Sequence, residues 1–322
     1  MSEPGRVVVL AGGLSHEREV SLRSGRRVAE ALRGTGLEVE ERDVDAALAP
    51  DFARDRPGCV FPLLHGEPGE DGALREVLSL LDVPFVGSGA AACRVAFDKP
   101  IAKTVVAAVG MRTPESVTLP AETFREIGAA SMMGSLIERL GLPLVVKPAK
   151  GGSALGCSVV RSAAEMPGAM INCFAYGQVA LIERLVLGSE VTVPVVDLGS
   201  GPETLPAVEI RPDGGVYDYS ARYTAGATEF EVPAPLPDAV AARCSEVALA
   251  AHWALGLRDI SRSDLIVDPS GVVWFLEVNV APGMTETSLV PLSVQAAGLD
   301  LGRLCADLVR AAVARPVTGR TP

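Results

Sequence analysis

Short valine-rich runs alternate with segments of helical periodicity from Arg6 to Ser88: RVVVL, EVSLRSGRRVAEALRG, LEVEERDV, CVFPLL, GALREVLSLLDV and PFVGS. Strands spaced by helices cannot close as tight hairpins, so the pattern predicts a parallel sheet flanked by helices. Gly34 and Gly36 supply one helix stop, Asp82 and Pro84 another. In such a sheet ligands bind outside the carboxyl ends of the strands. Two loops are therefore candidates: AGGLSHEREVSL after RVVVL, and HGEPGEDG after CVFPLL, which carries His65. Ser15 is placed to cap the helix that follows the first loop, and Glu19 in its first turn complements the helix dipole.

The chain has 322 residues, enough at roughly 100–200 residues per domain for two or three domains with clefts between them. A hydrophobic content of 48% with 21% charged and 4% aromatic residues predicts globular cores built from Val, Leu, Ile and Ala. The net charge of −11 sets the mean field against a nucleic-acid backbone, and no Lys/Arg run offers a basic patch, so nucleic acid is not an expected partner. No cationic segment precedes an apolar one at the N-terminus. The most apolar helical stretch, AVAARCSEVALAAHWALGL, is broken by Arg243, Glu246 and His252. A soluble cytoplasmic protein without membrane contact is expected. The six cysteines contain no C-x-x-C pair and read as reduced core thiols.

Beyond Lys99 the texture changes. A helical PIAKTVVAAVG leads to a break at Thr113-Pro114 and a polar helix; LPLVVKPAKGGSALGCSVV then gives two strand-like runs joined by a Gly/Ser-rich turn. QVALIERLV, SEVTVPVVDLG, TLPAVEI, SDLIVD and GVVWFLEVNV read as further strands around a helix near residues 236–256. DLGRLCADLVRAAVA is an amphipathic helix with Leu301, Leu304, Leu308 and Ala312 at helical spacing. The polar stretch RPDGGVYDYSARYTAGATEFEVPAPLP is too long for an ordinary connection and has the character of a lid.

Several residue sets could carry chemistry. Lys147 and Lys150 stand beside glycines and serines whose backbone can approach phosphate oxygens closely, although a hairpin turn with solvated lysines explains the same residues. No Walker loop is present there. Asp264 on one strand and Glu277-x-Asn279 on the next would place three hard oxygen donors on one sheet face, a set suited to Mg²⁺. Their plainer reading is the wet side of an antiparallel strand. Arg262 shares the face of Asp264 and could stabilise charge on a transferring group. Glu183 and Arg184 inside LIERLV fit an ordinary edge strand equally well, and a lone histidine such as His65 is more often structural than functional.

In order along nearly the whole chain, GGLSHEREVSL, LLHGEPGEDGALREVL, PFVGSGAAACRVAFDK, LPLVVKPAKGGSALG, LIERLVLGSEVTV, YDYSARY, SRSDL and FLEVNVAPGMTETSLVP resemble the D-alanine:D-alanine ligases of the ATP-grasp superfamily. The resemblance implies an α/β fold of three domains: an N-terminal parallel-sheet domain (1–98), a central α+β domain (99–188) and a C-terminal α+β domain with an antiparallel sheet (189–322). It further implies ATP gripped between the last two, a homodimer, and ligation of two D-alanines through an acyl phosphate to supply peptidoglycan synthesis. By the same resemblance Lys99, Lys147 and Arg222 would contact the ATP phosphates, Glu183 and the backbone of Leu185 the adenine, and Glu190 the ribose. Asp264, Glu277 and Asn279 would hold two Mg²⁺ ions, with Mn²⁺ able to substitute. Glu17 would anchor the ammonium of the first D-alanine in a network with Ser153 and Tyr223, near His65. Ser288 and Leu289 would bound the second, and Arg262 with the backbone of Gly283 would stabilise the tetrahedral intermediate.

Tyrosine at 223, where relatives that make esters with D-lactate typically carry phenylalanine, favours an amide product. The sequence departs from the family pattern at Ala154, Arg222, Val280, Ala281 and Thr287. Two alternatives therefore stay open: the same machinery joining a different amino-acid pair in secondary metabolism or self-resistance, and a nucleotide-binding regulator without turnover.

Overall fold

The computed structural model describes residues 4–213, 222, 224 and 226–315. β1 (Val7–Leu10), β2 (Val39–Arg42) and β3 (Cys59–Pro62) form a sheet in the order β2-β1-β3 with both pairings parallel. β1 is central and all four of its residues are buried, as expected of a strand covered on both faces. α1 (Arg18–Gly34) and α2 (Leu48–Arg54) connect these strands, and α3 (Ala73–Leu80) follows them. The strand expected at PFVGS reduces to one parallel bridge between Val60 and Phe85. Pro84 has no N–H to donate, and Gly87 at φ +104° turns the chain away.

α4 (Ala90–Phe97) and α5 (Lys99–Ala108) lead to a second sheet. It comprises β4 (Ser116–Pro120), β5 (Leu144–Pro148), β6 (Ser158–Val160) and β7 (Val179–Arg184) in the antiparallel order β4-β7-β5-β6. The polar helix expected after Pro114 is present as two, α6 (Ala121–Ile127) and α7 (Ala129–Leu140), which part at Gly128 with φ +103°, and an unexpected strand, β4, precedes them. β5 and β6 form the expected hairpin. α8 (Met166–Phe174) packs beneath, sharing a core with Phe124, Leu144 and Ile182. β7 is not the edge strand its sequence allowed, because β4 and β5 flank it and bury Glu183.

The third sheet is β8 (Ser189–Asp197), β9 (Pro202–Thr204), β10 (Val208–Pro212), β11 (Thr228–Glu231), β12 (Ile260–Val267) and β13 (Val273–Asn279). Its order is β11-β10-β8-β12-β13, with β9 also on β8. TLPAVEI thus divides between β9 and β10. α9 (Asp238–Ala254) covers one face through Cys244, Val247, Ala248 and Ala251. Residues 214–221, 223 and 225 of the stretch read as a lid, Tyr223 among them, lie outside the described residues.

α10 (Leu289–Ala296) and α11 (Leu301–Ala314) close the fold. Leu304, Leu308, Val309 and Ala312 of α11 join the core of Val7, Val9, Val28 and Leu32, so the last helix covers one face of the first sheet. Gly302 permits the close crossing: a Cβ there would stand 2.6 Å from the Ala31 carbonyl oxygen of α1. Arg315 secures the far end, donating to the Phe85 carbonyl at 3.0 Å and to Asp259 Oδ2 at 2.8 Å. All six cysteines are free, five of them buried. Among the described residues no helix is long and apolar enough to cross a membrane.

Candidate active site

The carboxyl ends of β1 and β3 bring the two candidate loops together. Gly12 (φ +109°) and Gly13 (φ +76°) turn the chain out of β1. A Cβ on Gly12 would fall 2.3 Å from Asp43 Oδ1, and that oxygen accepts the Gly13 N–H at 2.8 Å. Glycine is therefore required by the turn and by the aspartate against it. Glu17 is the N-cap residue of α1 and makes no side-chain cap; Ser15, expected to cap, instead accepts the Glu17 N–H at 3.2 Å and donates to the His65 carbonyl at 2.7 Å. Ser15 thus ties the two loops rather than starting the helix. The Glu17 carboxylate is buried and accepts from Ser153 Oγ of the loop between β5 and β6.

His65 is buried, with Nδ1 2.9 Å from the Ala281 carbonyl and Nε2 3.4 Å from Ser24 Oγ. Burial holds its pKa below the ordinary value, so the ring is neutral and Nδ1 carries the proton donated to Ala281. Glu70, which the sequence reading passed over, lies in the same loop 3.9 Å from the histidine. Burial and then the charge of Glu17 push its pKa up to about 8. The signal available was a second carboxylate in a loop already marked by His65.

The loop between β5 and β6 bends through Gly151 (φ +112°), Ser153 (φ +52°) and Ala154 (φ +55°), two of them in a region that glycine usually fills. Lys99, at the start of α5, donates to the Gly151 carbonyl at 2.6 Å and stands 3.5 Å from Glu277 Oε2. Lys147 on β5 reaches Glu183 Oε1 at 2.7 Å, and Lys103 pairs with Glu183 Oε2. Burial works against charge at all three groups. The two lysines nevertheless hold the Glu183 carboxyl below its usual range, and Glu183 with Glu277 raises Lys147. Lys103 was also missed, although Lys99 and Lys103 are four apart on one helix face and so point to one place. Because Glu183 is 2% exposed, Glu183→Gln should leave two buried lysines against a neutral amide and destabilise the fold by about 3–5 kcal/mol. Lys103→Met keeps the Lys147 pair and should cost clearly less; thermal unfolding of both variants checks the order.

β12 and β13 carry the remaining groups. Asp264 is in register with Glu277 and Arg262 with Asn279, so the expected common face exists. Arg262 grips Asp264 with a fork, Nε to Oδ1 and Nη2 to Oδ2, each at 2.8 Å, while Thr192 donates to Oδ1 at 2.7 Å. Burial would raise the Asp264 pKa, but these partners hold it below the ordinary carboxylate value. Asn279 Oδ1 accepts the Ala281 N–H at 2.8 Å. Glu190 on β8 is pushed up to about 7, first by burial and then by Asp264 and Glu277 against the pull of Arg222. Gly283 lies so close to Ser288 that a Cβ would meet its Oγ at 2.9 Å. Ser288 is the N-cap of α10, and its Oγ also meets Thr285 N at 3.0 Å and Oγ1 at 2.8 Å.

These groups line two adjoining cavities. One, of about 420 Å³, is bordered by Glu17, His65, Ser153, Arg262, Asn279, Gly283, Ser288 and Leu289. The other, of about 460 Å³, is bordered by Lys147, Glu183, Leu185, Glu190 and Asp264. Lys99, Arg222 and Glu277 border both, at the seam between them. Every residue to which the family resemblance gives a catalytic, binding or metal role, except Tyr223, thus borders one cavity or the other, whereas Ser15, Glu19, Val280 and Ala281 border neither. Cys157, a plain core thiol by sequence, also borders the second.

Residues 105–310 match the family model described as D-ala D-ala ligase C-terminus. A D-alanine–D-alanine ligase of Acidiphilium cryptum is 41% identical over 96% of this chain and 99% of its own length. Among solved structures, the VanG D-Ala:D-Ser ligase of Enterococcus faecalis superposes with a TM-score of 0.81 at 26% identity, covering 96% of this chain and 99% of that one. The D-alanine–D-alanine ligase of Bacillus anthracis complexed with ATP gives 0.78 at 27% identity, covering 96% of each chain. The three-sheet architecture is that of the ATP-grasp ligases. A match over most of the length in both sequence and fold leaves one conclusion: the chain belongs to the D-alanine–D-alanine ligase family.

Proposed function

We propose that the protein joins two molecules of D-alanine to D-alanyl-D-alanine at the expense of ATP, for peptidoglycan precursors. The observation that carries this reading is the seam: Lys99, Arg222 and Glu277 border both a cavity lined by Glu17, Ser153, Arg262 and Ser288 and a second lined by Lys147, Glu183, Glu190 and Asp264. A carboxylate in the first and a triphosphate in the second would meet there. The carboxylate oxygen of the first D-alanine attacks the γ-phosphorus and ADP leaves. The amine of the second, once deprotonated, attacks the acyl carbon and phosphate departs.

In this scheme Glu17, buried and hydrogen-bonded by Ser153, holds the first ammonium, with Tyr223 completing the network. Lys99, Lys147 and Arg222 hold the phosphates; Glu183 and Leu185 meet the adenine; Glu190 meets the ribose. Arg262 and the Gly283 N–H face the oxyanion, where prearranged donors in a water-poor site are most effective. His65 borders the first substrate, Ser288 and Leu289 the second. Holding both amino acids in line can contribute about 7–11 kcal/mol to the barrier reduction through proximity.

The donor set suits Mg²⁺. Asp264 and Glu277 oppose each other in register, and Arg262 and Thr192 leave one acceptor site on Asp264 Oδ2. Among the described residues no three His, Cys, Asp or Glu side chains assemble as a metal cluster, and Mg²⁺ commonly takes only one or two carboxylates beside phosphate oxygens and water. Asp264, Glu277 and Asn279 would hold two such ions, which when bound offset the repulsion between carboxylate and triphosphate.

We further assign domain boundaries at 98 and 188, a division supported by the presence of one sheet in each segment, and the stretch around YDYSARYTAG would close over ATP. A cytoplasmic homodimer completes the proposal. Phosphate release over a panel of D- and L-amino acids, with products weighed by mass spectrometry, tests it. D-alanine should give the highest rate and a D-alanyl-D-alanine mass. D-serine is included because a D-Ala:D-Ser ligase shares the fold. ATP binding without D-alanine-dependent phosphate release would reject the reading.

A further inference from the structure

One cation on the wall of the amino-acid cavity is left without a task by this scheme. Val20 and Arg23, three apart on α1, border that cavity, as do Thr285, Thr287 and Ser288. Arg23 Nη2 is 3.3 Å from Glu286 Oε2, with the two side chains 55% and 66% exposed. The Glu286 carboxyl is held below its ordinary range by its own backbone N–H and then by Arg23, so the pair is ionic at neutral pH. An exposed pair of this kind adds little to stability, so folding does not account for a guanidinium on a cavity wall.

The reaction supplies a reason. The acceptor amino acid reacts through its amine, so its carboxylate must be held without being consumed. Lys99, Arg222 and Arg262 face phosphate and the reacting carbonyl, and the Ser288 hydroxyl is engaged by Thr285. A carboxylate on the Ser288 side would find, among the described residues, one other cation bordering the same space, Arg23, and a guanidinium fork matches its two oxygens. We propose that Arg23 binds the carboxylate of the acceptor amino acid and that Glu286 competes for the same guanidinium. The inference rests on the ligase reading and adds to it a determinant of acceptor affinity.

Steady-state phosphate release against D-alanine at saturating ATP, resolved into donor and acceptor constants, tests the assignment. Arg23→Gln should raise the acceptor KM about five- to tenfold, the size expected of a partly exposed charge-assisted contact, with kcat and the donor and ATP constants little changed. Glu286→Gln should lower the acceptor KM about two- to threefold. The wild-type acceptor KM should rise with ionic strength more steeply than that of Arg23→Gln. A rim pair with a purely structural role would shift both variants in the same direction or neither, and either result overturns the proposal. Absence of D-alanine turnover in the wild type would remove the ligase reading and this assignment together, whereas wild-type turnover with an unchanged acceptor KM in Arg23→Gln removes Arg23 alone.

Discussion

Glu277→Gln is expected to lower turnover by about 10²- to 10³-fold while the protein melts within a few degrees of the wild type. Glu277 borders both cavities, and its side chain is 27% exposed with Lys99 at 3.5 Å. The amide keeps shape and one hydrogen-bonding oxygen but removes the charge that, in the proposed scheme, would face the phosphates through a cation. Lys99 retains the Gly151 carbonyl at 2.6 Å, so the substitution leaves no orphaned cation. Stability should therefore change by no more than about 1 kcal/mol. Steady-state phosphate release and a thermal melt on the same preparation separate the two effects, and near-normal turnover would remove Glu277 from the metal site.

Arg262→Ala should damage both rate and fold. The guanidinium is 8% exposed and spends two hydrogen bonds on the buried Asp264, so its loss leaves that carboxylate with Thr192 and little else on its own strand pair. Stranding a buried charge costs about 3–5 kcal/mol, and loss of the oxyanion donor proposed at Arg262 should reduce turnover by about 10²- to 10³-fold. The pH dependence carries a sign. Because the Asp264 carboxyl is held below its ordinary value, its stabilising contribution is complete above the unfolded value and fades as pH falls through the depressed one. Without Arg262 burial raises that carboxyl, so the acid-range loss of stability contributed by Asp264 should shrink or reverse, which urea unfolding across the acid range would reveal. Arg262→Lys restores charge without the fork and should recover stability better than rate. A variant as stable as wild type with an unmoved acid limb would show that Asp264 does not depend on Arg262.

The parallel sheet, the hairpin of β5 and β6, the long helix α9 and the face shared by Arg262, Asp264, Glu277 and Asn279 were all legible in the sequence, because each is fixed by local periodicity or by spacing two apart on a strand. What escaped depends on partners distant in the chain. LIERLV reads as an edge strand until β4, a short strand hidden in a polar stretch, pairs beside it. Glu183 then changes from a solvated carboxylate into the counter-ion of two lysines. Ser15 has the right chemistry for a cap, yet the His65 carbonyl, 50 residues away, claims its hydroxyl. Glu70 and Lys103 carried no motif of their own; only the tertiary arrangement gives each a buried charge to face.

The return of α11 to the first sheet bears on how the protein is made. The strands of the first sheet have one face covered only in part, by Val28, Ala29 and Leu32 of α1, until α11 has been synthesised, since Leu304, Leu308 and Val309 complete that cover. The first sheet must therefore wait, part of its apolar side uncovered, for about 240 further residues (from Pro62 to Leu301), and sequence-distant contacts of this kind slow folding and invite aggregation. Premature termination before Leu301 should thus yield insoluble product rather than a smaller working ligase.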